Sequence, residues 1–206
     1  MTKVSDRLNR LAESATLAMS RMSRELQEQG HDVIALSLGE PDFDTPEFIK
    51  EAAKKAIDDN FSHYTPVAGL PGLSNAIVQK FKRDNNLKYT AEQIVTSTGA
   101  KQSLANVCLS LLNPGDEVLL PCPYWVSYTE IIKLSEGVPV EVPSTIATDF
   151  KVTPEQLEAA ITPKTKLLMF SSPCNPSGTV YTQRELEGIA KMLEKYPDIY
   201  VVADEI

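Results

Sequence analysis

Lys166-Leu167-Leu168-Met169-Phe170-Ser171, followed at once by Ser172-Pro173-Cys174-Asn175-Pro176-Ser177-Gly178, decides how this chain folds. A short run that is apolar at successive positions, bounded by a proline- and glycine-rich loop, is the pattern of a parallel strand covered on both faces. Helix starts flank it. Thr153-Pro154-Glu155-Gln156 upstream reads as a capping box, with Pro154 suited to the first helical position. Thr182-Gln183-Arg184-Glu185 downstream is a second capping box, opening a helix with Leu186, Ile189 and Leu193 inward. Helix, strand and helix in alternation predict an α/β fold with a largely parallel sheet.

The same alternation extends in both directions. Strands are expected at Val33–Leu38, Ile94–Thr98, Val118–Leu120, Val138–Val142 and Ile199–Ala203. Helices are expected from about Thr16 to Gln29 and from Pro46, with Phe48, Ala52 and Ala56 facing the core and Thr45 as the cap. Another begins at Pro71, with Leu73, Ile77 and Phe81 on its apolar side. A further helix follows Gly99, through Leu104, Val107, Cys108 and Leu111. Asn113-Pro114-Gly115-Asp116 is a turn by composition. An apolar strand that ends at Asp204 with no covering helix after it predicts that the sequence stops inside a domain, a natural C-terminal strand being the alternative.

Composition narrows the chemistry. The 206 residues carry a net charge of −8, which argues against a nucleic-acid partner or an anionic membrane surface. No apolar run approaches the roughly 20 residues of a membrane span. Lys3, Asp6, Arg7, Arg10 and Glu13 interrupt the N-terminus, so no secretory signal is expected. The three cysteines, Cys108, Cys122 and Cys174, lack a C-x-x-C spacing and suit reduced thiols in a cytoplasm. With only His31 and His63, neither a zinc site nor a Ser–His–Asp triad is expected.

In open α/β sheets ligands bind beyond the carboxyl ends of strands. Gly99-Ala100-Lys101 follows one expected strand and opens a helix, whose free N–H groups and partial positive charge suit a phosphate. An ordinary βα turn would look the same, and neither G-x-G-x-x-G nor a P-loop is present. Trp125, the only tryptophan, follows another strand and offers a flat face or a packing residue. Asn175 sits in the stiff loop with a directed amide, or as an Asx turn. Asp204 ends the last strand, where a buried carboxylate needs a cationic partner, a cap or an internal salt bridge. Together these features fit a flat, phosphorylated ligand with a basic ring nitrogen.

Ordered motifs sharpen this. They are Ser37-Leu38-Gly39-Glu40-Pro41-Asp42-Phe43, Tyr64-Thr65-Pro66, Gly69-Leu70-Pro71, Thr98-Gly99-Ala100-Lys101-Gln102, Pro123-Tyr124-Trp125-Val126-Ser127-Tyr128, Ser172 to Gly178, and Asp204-Glu205-Ile206. The chain resembles the N-terminal half of the class I, fold-type I aminotransferases that use pyridoxal 5′-phosphate (PLP), and most closely their aspartate/prephenate subgroup. The resemblance implies a three-layer α/β/α large domain with a mostly parallel sheet over 46–206, incomplete at its C-terminus. It implies an N-terminal arm and small-domain segment over 1–45.

It also implies roles. Gly99, Ala100 and Lys101 would bind the cofactor phosphate, Trp125 would stack on its ring, and Asn175 would donate to its phenolic oxygen. Asp204, the catalytic residue of this segment, would hold the ring nitrogen protonated. Tyr64 would reach the neighbouring subunit's cofactor phosphate in a homodimer. Gly39, Trp125, Asn175, Lys101 and Thr16 would contact the amino acid and 2-oxo acid substrates. The Schiff-base lysine is expected beyond Ile206, so the segment alone is expected not to turn over. Cys174 departs from the family's common asparagine. Rival readings are another fold-type I enzyme, such as a carbon–sulfur lyase or an aminocyclopropane-carboxylate synthase, an inactive aminotransferase-like regulator or fragment, and an unrelated nucleotide-binding domain.

Overall fold

Side-chain alternation along the inner strands builds the layers. In the computed structural model, which describes residues 4–36, 38–39 and 41–205, four strands form one sheet. Ser37, Glu40 and Ile206, quoted above within motifs, lie outside the described residues. The chain divides into two compact units, Met19–Gly99 and Met1–Ala18 with Ala100–Ile206.

The second of these holds the sheet. Strands β1 (Glu117–Pro121), β2 (Val138–Val142), β3 (Thr165–Ser171) and β4 (Tyr200–Asp204) are all parallel, in the order β2-β1-β3-β4. Successive residues of a strand point to opposite faces. Val118, Leu120, Leu167 and Met169 accordingly pack with Leu104 and Cys108 of α5 (Ala100–Leu111) and Tyr128, Ile131 and Ile132 of α6 (Ser127–Leu134). Leu119 and Leu168 pack on the other face with Leu157 of α7 (Pro154–Ala160) and Ile189 and Met192 of α8 (Gln183–Leu193). This is the expected three-layer α/β/α arrangement.

Handedness explains which helix covers which face. The crossover from β1 to β2 runs one way along the sheet, while those from β2 to β3 and β3 to β4 run the other way. Right-handed crossovers then put α6 on one face and α7 and α8 on the opposite face. The change of direction at β1 leaves a crevice between the carboxyl ends of β1 and β3. Both capping boxes form: Thr153 and Thr182 accept from Gln156 N and Glu185 N, and Gln156 and Glu185 return the bond.

The unit of residues 19–99 departs most from expectation. Helix α2 (Ala15–Glu28) enters it, and α3 (Glu47–Asp58) and α4 (Pro71–Asn85) lie wholly within it. Only Ser74 and Ile94 are buried among its described residues. Phe48, expected inward, is 76% exposed, and α3 buries nothing. Its apolar periodicity marks a face but cannot supply a partner for it. The cap of α3 is Pro46 rather than Thr45, one residue later than expected.

Among the described residues, the expected strands at 33–38 and 94–98 do not form: neither segment takes part in a ladder. Ile34 and Leu36 are 84% and 90% exposed, and no strand pairs with their segment among the described residues. Around Thr96 the backbone bond runs to a loop, from Thr96 N to the carbonyl of Ala68 at 2.9 Å. Apolar runs indicate strand propensity, whereas a strand also needs a neighbour. Two short α-helices among the described residues were not anticipated, α1 (Asp6–Asn9) and α6. No helix among the described residues is long and apolar enough to cross a membrane.

Leu168, 1% exposed at the centre of β3, tests this packing. Leu168→Ala is expected to lower the unfolding free energy by about 2–5 kcal/mol in urea titration. A loss below about 1 kcal/mol would show that the second core layer does not depend on the sheet centre.

Candidate active site

The crevice at the carboxyl ends of β1 and β3 is walled by the loops that leave them. After β1 the chain passes Cys122, Pro123 and Tyr124 to Trp125, then turns into α6 with Tyr128 N donating to the Trp125 carbonyl at 3.0 Å. After β3 comes the loop 172–178, where Cys174 Sγ donates to the Pro123 carbonyl at 3.3 Å and ties the two loops together. Gly178 N donates to the Cys174 carbonyl at 2.7 Å, and Cys174 N to the Thr179 carbonyl at 2.8 Å, so the second loop closes on itself. Cis peptides precede Pro123, Pro173 and Pro176.

Asp204 ends β4 directly beside Ser171, its register partner on β3. Its Oδ2 accepts from the Tyr128 hydroxyl at 2.7 Å. Tyr128 is fully buried on α6. Burial, then the hydrogen bond to Asp204, push its phenol well above the usual tyrosine range, with an opposing pull from the Ser171 hydroxyl. The phenol is therefore a donor at any physiological pH.

Trp125 stands edge-on to the Tyr128 ring, with centroids 5.6 Å apart and planes at 89°. Tyr124 lies nearly parallel to Tyr128 at 6.5 Å. The Tyr124 hydroxyl donates to Glu141 Oε1 at 2.6 Å and accepts from Thr129 at 2.8 Å. Burial and Glu141 raise its phenol to about 12. Two phenols and one indole therefore form a braced aromatic wall.

The N-terminus of α5 reaches this wall. Lys101, its second residue, holds Nζ 4.8 Å from the centroid of the Trp125 ring, a cation–π contact. Gly99, directly before the helix, has φ +83° and open space where a Cβ would stand. That conformation favours glycine and presents bare backbone beside the helix start.

Lys101, Trp125, Tyr128 and Asp204 thus form one connected run of contacts. Asn175 joins it through its backbone, whose N–H donates to Ser171 Oγ at 3.3 Å. Ala100 is exposed at the first position of α5. Thr16 lies half-buried in the first turn of α2. Gly39 and Tyr64 belong to the unit of residues 19–99, both exposed, Tyr64 completely. Sequence reasoning assigned no role to Tyr128 or Ser171. The signals were there: Tyr128 lies three residues after Trp125, one helical turn on, and Ser171 ends a strand as Asp204 does.

A carboxylate acceptor, an indole face, an amide-bearing loop and a cationic helix N-terminus suit a flat anion carrying a ring N–H. Comparison with known proteins agrees in kind. Residues 31–206 match the family model described as "Aminotransferase class I and II". The aspartate/prephenate aminotransferase of Cereibacter sphaeroides is 50% identical over 206 residues, all of this chain and 52% of that protein. Its counterpart in Nitrosomonas europaea is 46% identical over 204 residues, 99% of this chain and 51% of the relative. The chain therefore spans about half the length of the curated relatives it matches. Among solved structures, a Thermus thermophilus aspartate aminotransferase with maleate superposes with a TM-score of 0.94 at 44% identity, covering all of this chain and 54% of that one. An aspartate aminotransferase from Rhizobium meliloti gives 0.95 at 39% identity, covering 99% and 51%. With the fold, the sheet-end site and a family match extending over most of its residues in agreement, the chain belongs to the class I and II aminotransferases.

Proposed function

We propose that the full-length protein is a PLP-dependent aminotransferase. It moves an amino group from an L-amino acid, aspartate in our reading, to a 2-oxo acid such as 2-oxoglutarate or prephenate, in amino-acid biosynthesis. The observation that carries this is the meeting of Trp125 and Asp204 on one buried side chain, Tyr128, at the carboxyl edge of the sheet. Relatives named aspartate/prephenate aminotransferase support the choice of substrates.

These residues fit PLP. Asp204 would accept from the ring N–H and hold that proton in place, as a carboxylate at a strand end does for a cationic partner. Trp125 would supply the plate for the ring, edge-braced by Tyr128. Asn175 would donate its amide to the phenolic oxygen and to the substrate carboxylate. Gly99, Ala100 and Lys101 would hold the phosphate through backbone N–H groups and one ammonium. When bound, PLP supplies an electron sink for the substrate α-carbon. Gly39, Lys101 and Thr16 are assigned to substrate carboxylates. Tyr64 is assigned to the phosphate of a second subunit in a homodimer. In the whole protein residues 1–45 form the arm and the start of a small domain, and 46–206 the first part of the cofactor domain. The protein works in the cytoplasm, and its Schiff-base lysine lies beyond this segment.

Asp204→Asn keeps an acceptor for Tyr128 but removes the negative charge. In the full-length protein it is expected to lower kcat/KM for aspartate by at least about a hundredfold, leaving the melting temperature nearly unchanged. Near-normal turnover would overturn the assignment of Asp204 to the ring nitrogen. Incubation with aspartate and 2-oxoglutarate is expected to yield oxaloacetate without free ammonia, whereas ammonia release would favour a lyase.

A further inference from the structure

Asp204 has two oxygens, and Tyr128 claims one of them. The phenol is completely buried, so water does not compete for its proton. Its ring is gripped from two sides, edge-on by Trp125 and nearly parallel by Tyr124. A side chain so confined has one orientation, and its hydroxyl marks a fixed point in space. The helix that carries it lies on the sheet face lined by Val118, Leu120, Leu167 and Met169. Ser171, opposite Asp204 in register, also bears on the phenol oxygen and accepts from Asn175 N at 3.3 Å.

We propose that Tyr128 is the positioning residue of the cofactor site: its hydroxyl holds Asp204 Oδ2, leaving Oδ1 to accept from the cofactor's ring N–H, while its ring sets the plane of Trp125. This rests on the reading of Asp204 and Trp125 as PLP contacts and adds a residue that touches neither cofactor nor substrate. Without the hydroxyl, the Asp204 carboxylate is free to rotate about its χ2 and loses the geometry of a directed bond to the ring. Because Ser171 adjoins the same oxygen, the Asn175 loop is referenced to the same point. Two cofactor contacts from separate strand ends, Trp125 and Asp204, are thus fixed by one side chain.

The test is cofactor binding by the full-length protein, read by equilibrium dialysis. Two probes are used: PLP, and 1-deaza-PLP, in which a C–H replaces the ring nitrogen. Tyr128→Phe keeps the aromatic packing and is expected to weaken PLP about tenfold, the scale of a lost hydrogen bond to a charged group. It is expected to bind 1-deaza-PLP as the unsubstituted protein does, because Asp204 has no ring N–H to meet there. In an Asp204→Asn background the same substitution is expected to change PLP affinity by less than twofold. Unchanged PLP affinity in Tyr128→Phe overturns the proposal, and so does an equal loss for both probes, which marks a merely structural role. Asp204→Asn separates the two levels. If it binds PLP as tightly as the unsubstituted protein, the reading of Asp204 itself falls. If it binds weakly while Tyr128→Phe does not, only the role of Tyr128 falls.

Discussion

A buried hydroxyl joins two segments that lie 76 residues apart, Tyr128 on α6 and Asp204 at the end of β4. Removing a carboxylate from water is costly unless a donor replaces the lost hydration. Here the donor is a phenol that burial and the carboxylate itself keep protonated. The contact therefore stabilises both partners and also fixes where the last strand presents its charge. The indole, the lysine above it and the loop after β3 are arranged around that contact.

Topology explains why the contact stands where a ligand can reach it. Each parallel strand delivers its last residue to the same edge of the sheet, and the change of crossover direction at β1 opens that edge between β1 and β3. The loops that wall the opening carry rigid elements rather than long side chains: an indole, prolines and a thiol bonded to a neighbouring carbonyl. A site built on strand ends and a helix start is held by the core beneath it. Leu120, Leu167 and Met169 share one core cluster with Tyr128, Ile131 and Ile132 of α6. Packing and function are coupled through that one helix.

How much of this was legible in the sequence follows from the range of each interaction. β1 and β3 could be read because a strand covered on both faces is apolar at successive positions, as Leu167, Leu168 and Met169 are. The capping boxes at Thr153 and Thr182 could be read because their bonds close within three residues. The segments 33–38 and 94–98 were misread because a strand also needs a partner, which local sequence does not show. Phe48 was misplaced for the same reason. In the site, the residue types of Trp125, Asn175 and Asp204 were legible from chemistry at strand ends. Tyr128 went unassigned because its spacing from Trp125 was the only local signal, and its partner lies 76 residues away. Gly39 and Tyr64 carry roles drawn from family resemblance alone.

The central claim is that Trp125 and Asp204 address one planar ligand. A crystal structure of the full-length protein grown with PLP tests it most directly. The account predicts the pyridine ring parallel to the Trp125 indole, its nitrogen within hydrogen-bonding distance of Asp204, and its phosphate at the start of α5. A ring bound away from the carboxyl ends of β1, β3 and β4, or one whose nitrogen faces a group other than Asp204, would contradict it.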